Sequence, residues 1–396
     1  MKSRILGLAA LLVAALAVLS CQGTGPSGED IIPVLKVSRE TEAAAGGTQK
    51  VKVAAVGQWT ISVDYIDGDG WIHLSKTTDS VNASVEMTID PNEAENPRKA
   101  TLVLKTAKHE VSKEITQMGK VTAATSGWLE LPAFEQKEGF FFGTHSMDGG
   151  AYKSQEENGV RNWSFYYDYD AYVSWWVAYP LNSRLRGSGS RSDMWQATDP
   201  LLPADAVCDI SGGSYGGNSF SENTDTGGRG NWTRGHQIPS ADRLDFNANV
   251  TTFYPTNMTP QDYNFNCEVW ADLEDAVRNF ARNSDTLYVV TGADVRNSTL
   301  RTKSYTNHAA LVPTHYYKAL LRKRGSDYSA IGYYLPHDMG YPASNYKVDY
   351  SNYVYSISEL ESLTGIDFFV NLPALLGADK AKEIEEASPS ETLKNW

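Results

Sequence analysis

Cysteine is scarce in this chain: Cys21, Cys208 and Cys267 are the only three in 396 residues. That excludes a small disulfide-stapled scaffold. Past Cys21 a single bridge could be drawn, Cys208 to Cys267, and the sequence does not say whether their Cα atoms approach closely enough. Positive charge is also short, with 35 Lys+Arg against 48 Asp+Glu and a formal net charge of −13. From Gly127 onward the balance is still 22 against 34. A broadly basic, polyanion-attracting surface is therefore excluded, and any phosphate contact must come from local arginines and a metal ion. Long apolar runs are scarce as well. The run Ile5 to Leu19 has fifteen residues, short of the ~20 that span a bilayer. No internal repeat is visible, so a solenoid is excluded.

What the N-terminus does contain reads as export. Lys2 and Arg4 precede the apolar run, and Val18-Leu19-Ser20-Cys21 closes it. This is a signal core ending in a stretch that resembles a bacterial lipobox, with Cys21 as the acylated residue. Residues 1–21 are thus expected to be a lipoprotein signal peptide and 22–30 (QGTGPSGED) a flexible tether. The expected location is extracytoplasmic, lipid-anchored to a bacterial membrane, at the outer membrane or cell surface.

From 31 to 120 the pattern is all-β. Val51, Val53 and Ala55 alternate, as do Val85, Met87 and Ile89, with turn clusters such as Asp67-Gly68-Asp69-Gly70 between. The expected architecture is an Ig-like sandwich. Gln58-Trp59-Thr60-Ile61, Gly70-Trp71-Ile72, Asn96-Pro97-Arg98-Lys99-Ala100 and Ile115-Thr116-Gln117-Met118-Gly119 resemble the BACON family of exported β-domains. The resemblance implies a spacer or adhesion module with a glycan contact, although core packing is the expected place of Trp59 and Trp71. Residues 121–127 read as a linker.

Residues 128–396 are mixed, the α+β part of a multidomain chain. Tyr172–Leu181 and Thr286–Thr291 read as buried strands, and Ala309–Arg322 as strand or helix, with Pro313 favouring a strand edge. Glu268–Asn283 is the clearest helix, with Trp270, Leu273, Val277 and Phe280 on one face. The Gly/Ser/Asn-rich stretch 212–230 reads as a long mobile loop.

Phosphodiester hydrolysis needs a base for water, a Lewis acid for the growing charge and a proton for the leaving oxygen. Directly after that loop stands Arg234-Gly235-His236-Gln237-Ile238-Pro239-Ser240-Ala241-Asp242-Arg243. Glycine beside histidine lets backbone approach a ligand, and the adjacent guanidinium suits phosphate. Asn266, Trp270, Glu274 and Arg278 follow at intervals of four, one row on a helix that begins near Asn266.

Taken in order, RGHQIPSADR, then Asn257-Met258-Thr259-Pro260-Gln261 with Asn266, Trp270, Glu274 and Arg278, then Val290-Thr291-Gly292, then Val312-Pro313-Thr314-His315-Tyr316-Tyr317-Lys318 are similar to the DNA/RNA non-specific endonuclease family of ββα-metal fold. Ile357–Pro373 resembles the stretch that closes that family's domain. The likeness runs over most of 150–375 and places an endonuclease domain at 128–396.

The resemblance implies a metal-dependent endonuclease that hydrolyses DNA and RNA without sequence specificity, leaving 5′-phosphate and 3′-hydroxyl ends. It implies His236 as general base and Asn266 as the one direct protein ligand of Mg²⁺, with Mn²⁺ as a substitute. Glu274 would hold the water cluster around the metal, and Asn257 would support the site. Arg234 and Arg278 would contact substrate, and an upstream arginine would pair the scissile phosphate: Arg191, with Arg186 as the alternative. The family's commoner form has Asp before Arg-Gly-His where this chain has Thr233. That leaves open a different class of function, a surface glycan-binding lipoprotein with a degenerate nuclease domain.

Overall fold

The computed structural model describes residues 32–38, 40–42, 44, 46–94, 96–120, 126–147, 161–211, 215, 232–302, 308–337 and 348–396. The expected signal peptide with Cys21, the tether, nearly all of the 121–127 linker and all but Tyr215 of the 212–230 loop lie outside the described residues. Among the described residues no helix is long and apolar enough to cross a membrane.

The N-terminal region is all β. Strands Val34–Val37, Gly47–Ala54, Ala83–Ile89 and Ile72–Leu74 lie side by side in one sheet. Thr41–Glu42, Glu110–Gln117, Arg98–Thr106, Trp59–Tyr65 and Thr78–Asp79 make a second. Strict alternation in Gly47–Ala54 and Ala83–Ile89 sends Val51, Val53, Val85, Met87 and Ile89 inward. They meet Trp59, Ile61, Leu102, Leu104 and Ile115 of the other sheet in one core. Trp59 and Trp71 are both buried, their indole N–H groups donating to the carbonyls of Val81 and Asp67. Core packing, the expected place for both rings, is what they show.

The rest is organised by a seven-stranded antiparallel sheet. Its order is Phe140–Ser146, Arg161–Asp168, Val173–Leu181, Thr286–Asp294, His315–Arg324, Asp327–Pro336 and Val354–Tyr355. The central strands are buried on both faces, which is why their sequences are nearly continuous apolar runs without alternation. His315–Arg324 is a strand, the reading that Pro313 favoured. One face is covered by Ile357–Thr364, Leu372–Leu376 and Ala378–Glu385, through Ile357, Leu360, Phe368, Leu372 and Ile384. On the other lie Phe265, Val269, Trp270, Leu273 and Val277.

That second face carries the helix expected over Glu268–Asn283, with a correction. After an α-helical start at Tyr263 and Asn264, the segment passes through a π-turn, Phe265–Trp270, before the regular α-helix Ala271–Arg282. A π-turn takes in one extra residue, so Asn266 is rotated out of the four-residue row expected with Trp270, Glu274 and Arg278. Trp270 turns into the core at 1% exposure, while Asn266 stays half-buried at a cleft. The possible cysteine bridge is absent. Both thiols are free, Cys208 in an apolar cluster with Val173 and Ile210 and Cys267 exposed at the cleft.

Candidate active site

A two-stranded ribbon carries the central histidine. Thr233–His236 pairs with Met258–Gln261, placing Thr233 opposite Gln261, Gly235 opposite Thr259 and His236 opposite Met258. Gly235 is required by close approach, because a Cβ there would fall 2.2 Å from the Gln261 side chain. Packed beside the ribbon, the π-turn and the start of the following helix form the other wall of a cleft. Arg191, Trp195, Thr233, Arg234, His236, Asn266 and Glu274 all line it, in a volume of about 290 Å³.

His236 is clamped edge-on by two rings, Phe253 at 5.1 Å and 90° and Trp195 at 5.5 Å and 60°. Its carbonyl accepts from the indole of Trp270 at 3.4 Å. The ring atom Nε2 is buried and has no hydrogen-bond partner within the protein. Burial first, then the positive charges of Arg191 and Arg234, hold its pKa well below the usual 6.5. A neutral imidazole with a lone pair at ordinary pH is the consequence.

The Arg234 guanidinium sits over the Trp195 ring, its carbon 3.4 Å from the centroid, and donates to the Ile210 carbonyl at 3.0 Å. Arg191 sits over Phe253 at 4.9 Å, pairs with Asp193 at 2.6 Å and is exposed. Arg186, the alternative, donates to the Ala241 carbonyl at 2.9 Å and does not line the cleft. Of the two, Arg191 is the one that lines the cleft.

Asn266 donates from Nδ2 to the Thr233 hydroxyl at 2.9 Å. Glu274 interacts electrostatically with Lys318, Arg278 and Asp242, of which Lys318 and Asp242 are buried. Burial pushes the Glu274 carboxyl up, opposed by the cations Lys318 and Arg278. Burial pushes the Lys318 ammonium down, opposed by Glu274 and Asp242. Lys318 also donates to Thr291 at 3.1 Å and lies 4.2 Å from the face of Trp270.

Two expected site residues are placed elsewhere. Asn257 is fully buried and does not line the cleft: Oδ1 accepts from the Ile238 N–H, and Nδ2 donates to the carbonyls of Ile238 and Thr252. With all its polar capacity directed at backbone, it positions the loop after His236 and has no atom left for reacting groups. Arg278 is likewise spent, bonded to Asp242 at 3.1 Å and to Asp275. Burial alone would lower its pKa, but Asp242, Asp275 and Glu274 hold it firmly charged. It braces Asp242, which also accepts from Tyr179 at 2.8 Å, and it does not line the cleft. Trp195, Asp242 and Lys318 were not singled out from the sequence. Trp195 could have been found from the Trp-x-x-Thr-Asp-Pro stretch that it opens, Trp195 to Pro200, whereas Asp242 and Lys318, although within the motifs quoted above, look like surface charges until the fold buries them.

No group of three or more His, Cys, Asp or Glu side chains suited to a metal occurs among the described residues. The donor set nevertheless fits Mg²⁺, which dehydrates reluctantly and keeps several waters. Asn266, its amide nitrogen taken by Thr233, has its oxygen left to offer, and the Glu274 carboxyl lines the same cleft.

Comparison with known proteins identifies the family. The family described as DNA/RNA non-specific endonuclease matches residues 150–375. A nuclease of Nostoc sp. (strain PCC 7120 / SAG 25.82 / UTEX 2576) is 33% identical over 208 residues, covering 50% of this chain and 67% of its own. The human mitochondrial nuclease EXOG is 26% identical over 301 residues, 69% of this chain and 75% of its own. The nuclease of Serratia marcescens is 26% identical over 202 residues, 50% of this chain and 69% of its own.

Proposed function

This chain belongs to the DNA/RNA non-specific endonuclease family, and from that premise we propose that it is a Mg²⁺-dependent endonuclease cutting DNA and RNA without sequence preference. The observation that carries the reading is His236: a neutral ring with a buried, unpartnered Nε2, in a cleft shared with Arg191, Arg234 and Asn266. In this reading His236 takes the proton from the attacking water, and as the phosphorus–oxygen bond breaks the leaving 3′ oxygen takes a proton from water in the open cleft. Arg191 and Arg234 pair phosphate oxygens, with Trp195 holding Arg234 in place. Asn266 would hold the ion through its side-chain oxygen, and Glu274 would order water around it. Mg²⁺, when bound, supplies Lewis-acid stabilisation of the charge that grows on the phosphoryl oxygens. Asn257 and Arg278 act one layer behind, on the loop after His236 and on Asp242. Contacts of this kind read backbone and not base edges, which accounts for low specificity.

The N-terminal sheets are read as an Ig-like, BACON-type sandwich serving as a spacer, with residues 128–396 as the catalytic domain. Burial of Trp59 and Trp71 removes the two indoles most suited to stacking on a sugar. Anchoring through Cys21 would hold the enzyme on the outer side of a bacterial membrane, where nucleic acid is a nutrient or a matrix.

Nicking of supercoiled plasmid with Mg²⁺ and with EDTA tests the central claim, and activity that persists in EDTA would overturn it. Membrane fractionation of Cys21→Ala tests the anchor. Loss from the membrane fraction is expected, and unchanged fractionation would refute the lipobox.

A further inference from the structure

We infer that Thr233 is a positioning residue for the metal ligand, fixing the amide of Asn266 so that its oxygen, and not its nitrogen, is presented to the cation. The inference rests on the reading of Asn266 as ligand and adds a residue to it.

The argument is a count of hydrogens. A threonine hydroxyl has one proton to donate and lone pairs to accept with. In this chain that proton is committed: Oγ1 of Thr233 donates to the backbone carbonyl of Gln261 at 2.8 Å, the residue directly across the ribbon. Thr233 is 3% exposed, so no bulk water competes for the bond. Towards its other neighbour the hydroxyl can therefore only accept. The Asn266 amide atom at 2.9 Å must then be a donor, which is Nδ2. Amide oxygen and nitrogen are otherwise nearly interchangeable in shape, and a half-turn about the terminal bond would present two N–H groups to a cation, which repels it. The Gln261–Thr233–Asn266 chain makes that half-turn costly, since Oδ1 would then face the hydroxyl oxygen lone pair to lone pair, or the hydroxyl would have to abandon the Gln261 carbonyl.

A consequence follows for the family difference at this position. A carboxylate at 233 could also accept from Nδ2, so orientation does not require the acid. The hydroxyl does it without a negative charge, its proton parked on the ribbon backbone. Thr233 thus replaces the orienting function, leaves Glu274 as the acidic side chain of the cleft, and does not mark a degenerate site.

The test is Mn²⁺ binding by the full chain, read by electron paramagnetic resonance without substrate, with circular dichroism confirming that each variant is folded. Thr233→Val, which keeps shape and removes the hydroxyl, is expected to weaken Mn²⁺ binding roughly 10- to 100-fold, the usual effect of losing a group that orients a ligand. Thr233→Ser should restore it. In Asn266→Asp the two terminal oxygens are equivalent and orientation is moot, so adding Thr233→Val there should change affinity little. Wild-type Mn²⁺ affinity in Thr233→Val overturns the inference, as does a Thr233→Ser variant as weak as Thr233→Val. Asn266→Ala separates the two levels. If it binds Mn²⁺ normally, the ligand role itself fails and takes the inference with it. If it loses binding while Thr233→Val does not, only the inference fails.

Discussion

The two regions of this chain bury different things. Among described residues 32–120, the core is apolar throughout and Glu42 is the sole charged side chain that is buried. Beyond residue 128, Glu130, Asp199, Asp242, Arg243, Asp294, Lys318 and Arg322 are all buried. Taking an ion out of water costs several kcal/mol, so such a set persists only if each charge is satisfied. Arg243 shows how: Nε and Nη2 donate to Asn162, Nη1 to the Asp242 carbonyl, and Nη2 also to Pro180, all between 2.7 and 2.9 Å. The N-terminal sheets need only cohesion. The C-terminal region bears the cost of charge burial, part of it at Asp242 and Lys318 behind the cleft residue Glu274, and rigidity there is what preorganised chemistry requires.

The sharpest way to break this contrast is His236→Ala. Loss of a general base should lower the nicking rate roughly 10²- to 10⁴-fold while Mn²⁺ still binds. Near-wild-type rates would remove the chemistry from the cleft. Glu274→Ala should come next, keeping the fold and weakening metal affinity roughly 10- to 100-fold, measured as the Mg²⁺ concentration needed for half-maximal rate.

The pH profile sharpens the comparison further. Burial and two nearby cations disfavour protonation of His236, so the base form should persist into mildly acidic solution. The acid limb of kcat/KM is expected below pH 6.5. Arg191→Ala removes one repelling charge, which makes protonation easier and should move the limb upward. A limb that stays put in Arg191→Ala would show that this charge does not reach the ring.

Asn257→Ala tests whether the layer behind the cleft is structural. It strands the Ile238 N–H and two carbonyls, and should cost about 1–3 kcal/mol of stability, read as a lower unfolding midpoint with unchanged metal affinity. At the far end of the comparison, Trp59→Ala empties the N-terminal core at a cost of about 3–5 kcal/mol, yet nicking should not change. A chain starting at Thr122 should likewise keep its activity on free DNA. If that shortened chain folds but is inactive, the two regions are not functionally separate.

Much of the fold was legible because it follows from periodicity and burial. Alternation at Val51, Val53, Val85 and Met87 marked half-buried strands, and the apolar run at Val173–Leu181 marked a strand covered on both faces. His236 and Asn266 were legible through ordered short motifs. Arg278 and Asn257 were read as members of the site because motif order records that a residue matters, not which way its side chain faces. The π-turn was not legible at all: nothing in Phe265–Trp270 marks an extra residue per turn, and its two aromatic rings lie beside Tyr316, a strand residue far along the chain.

By itself, then, the sequence determined the alternating strands of the N-terminal region, the buried strands at Val173–Leu181 and Thr286–Asp294, and the identity of the histidine, asparagine and arginines gathered in the cleft, because these depend on local pattern and residue chemistry. Only the tertiary structure decided that Asn257 faces backbone, that Arg278 is held by Asp242, and that Lys318 lies buried within reach of Glu274. It alone brought the Thr233 hydroxyl to the Asn266 amide across a gap of 33 residues. Those outcomes depend on which groups meet when a ribbon and a helix dock on one sheet, and hydrogen-bond capacity is assigned only once the partners are in place.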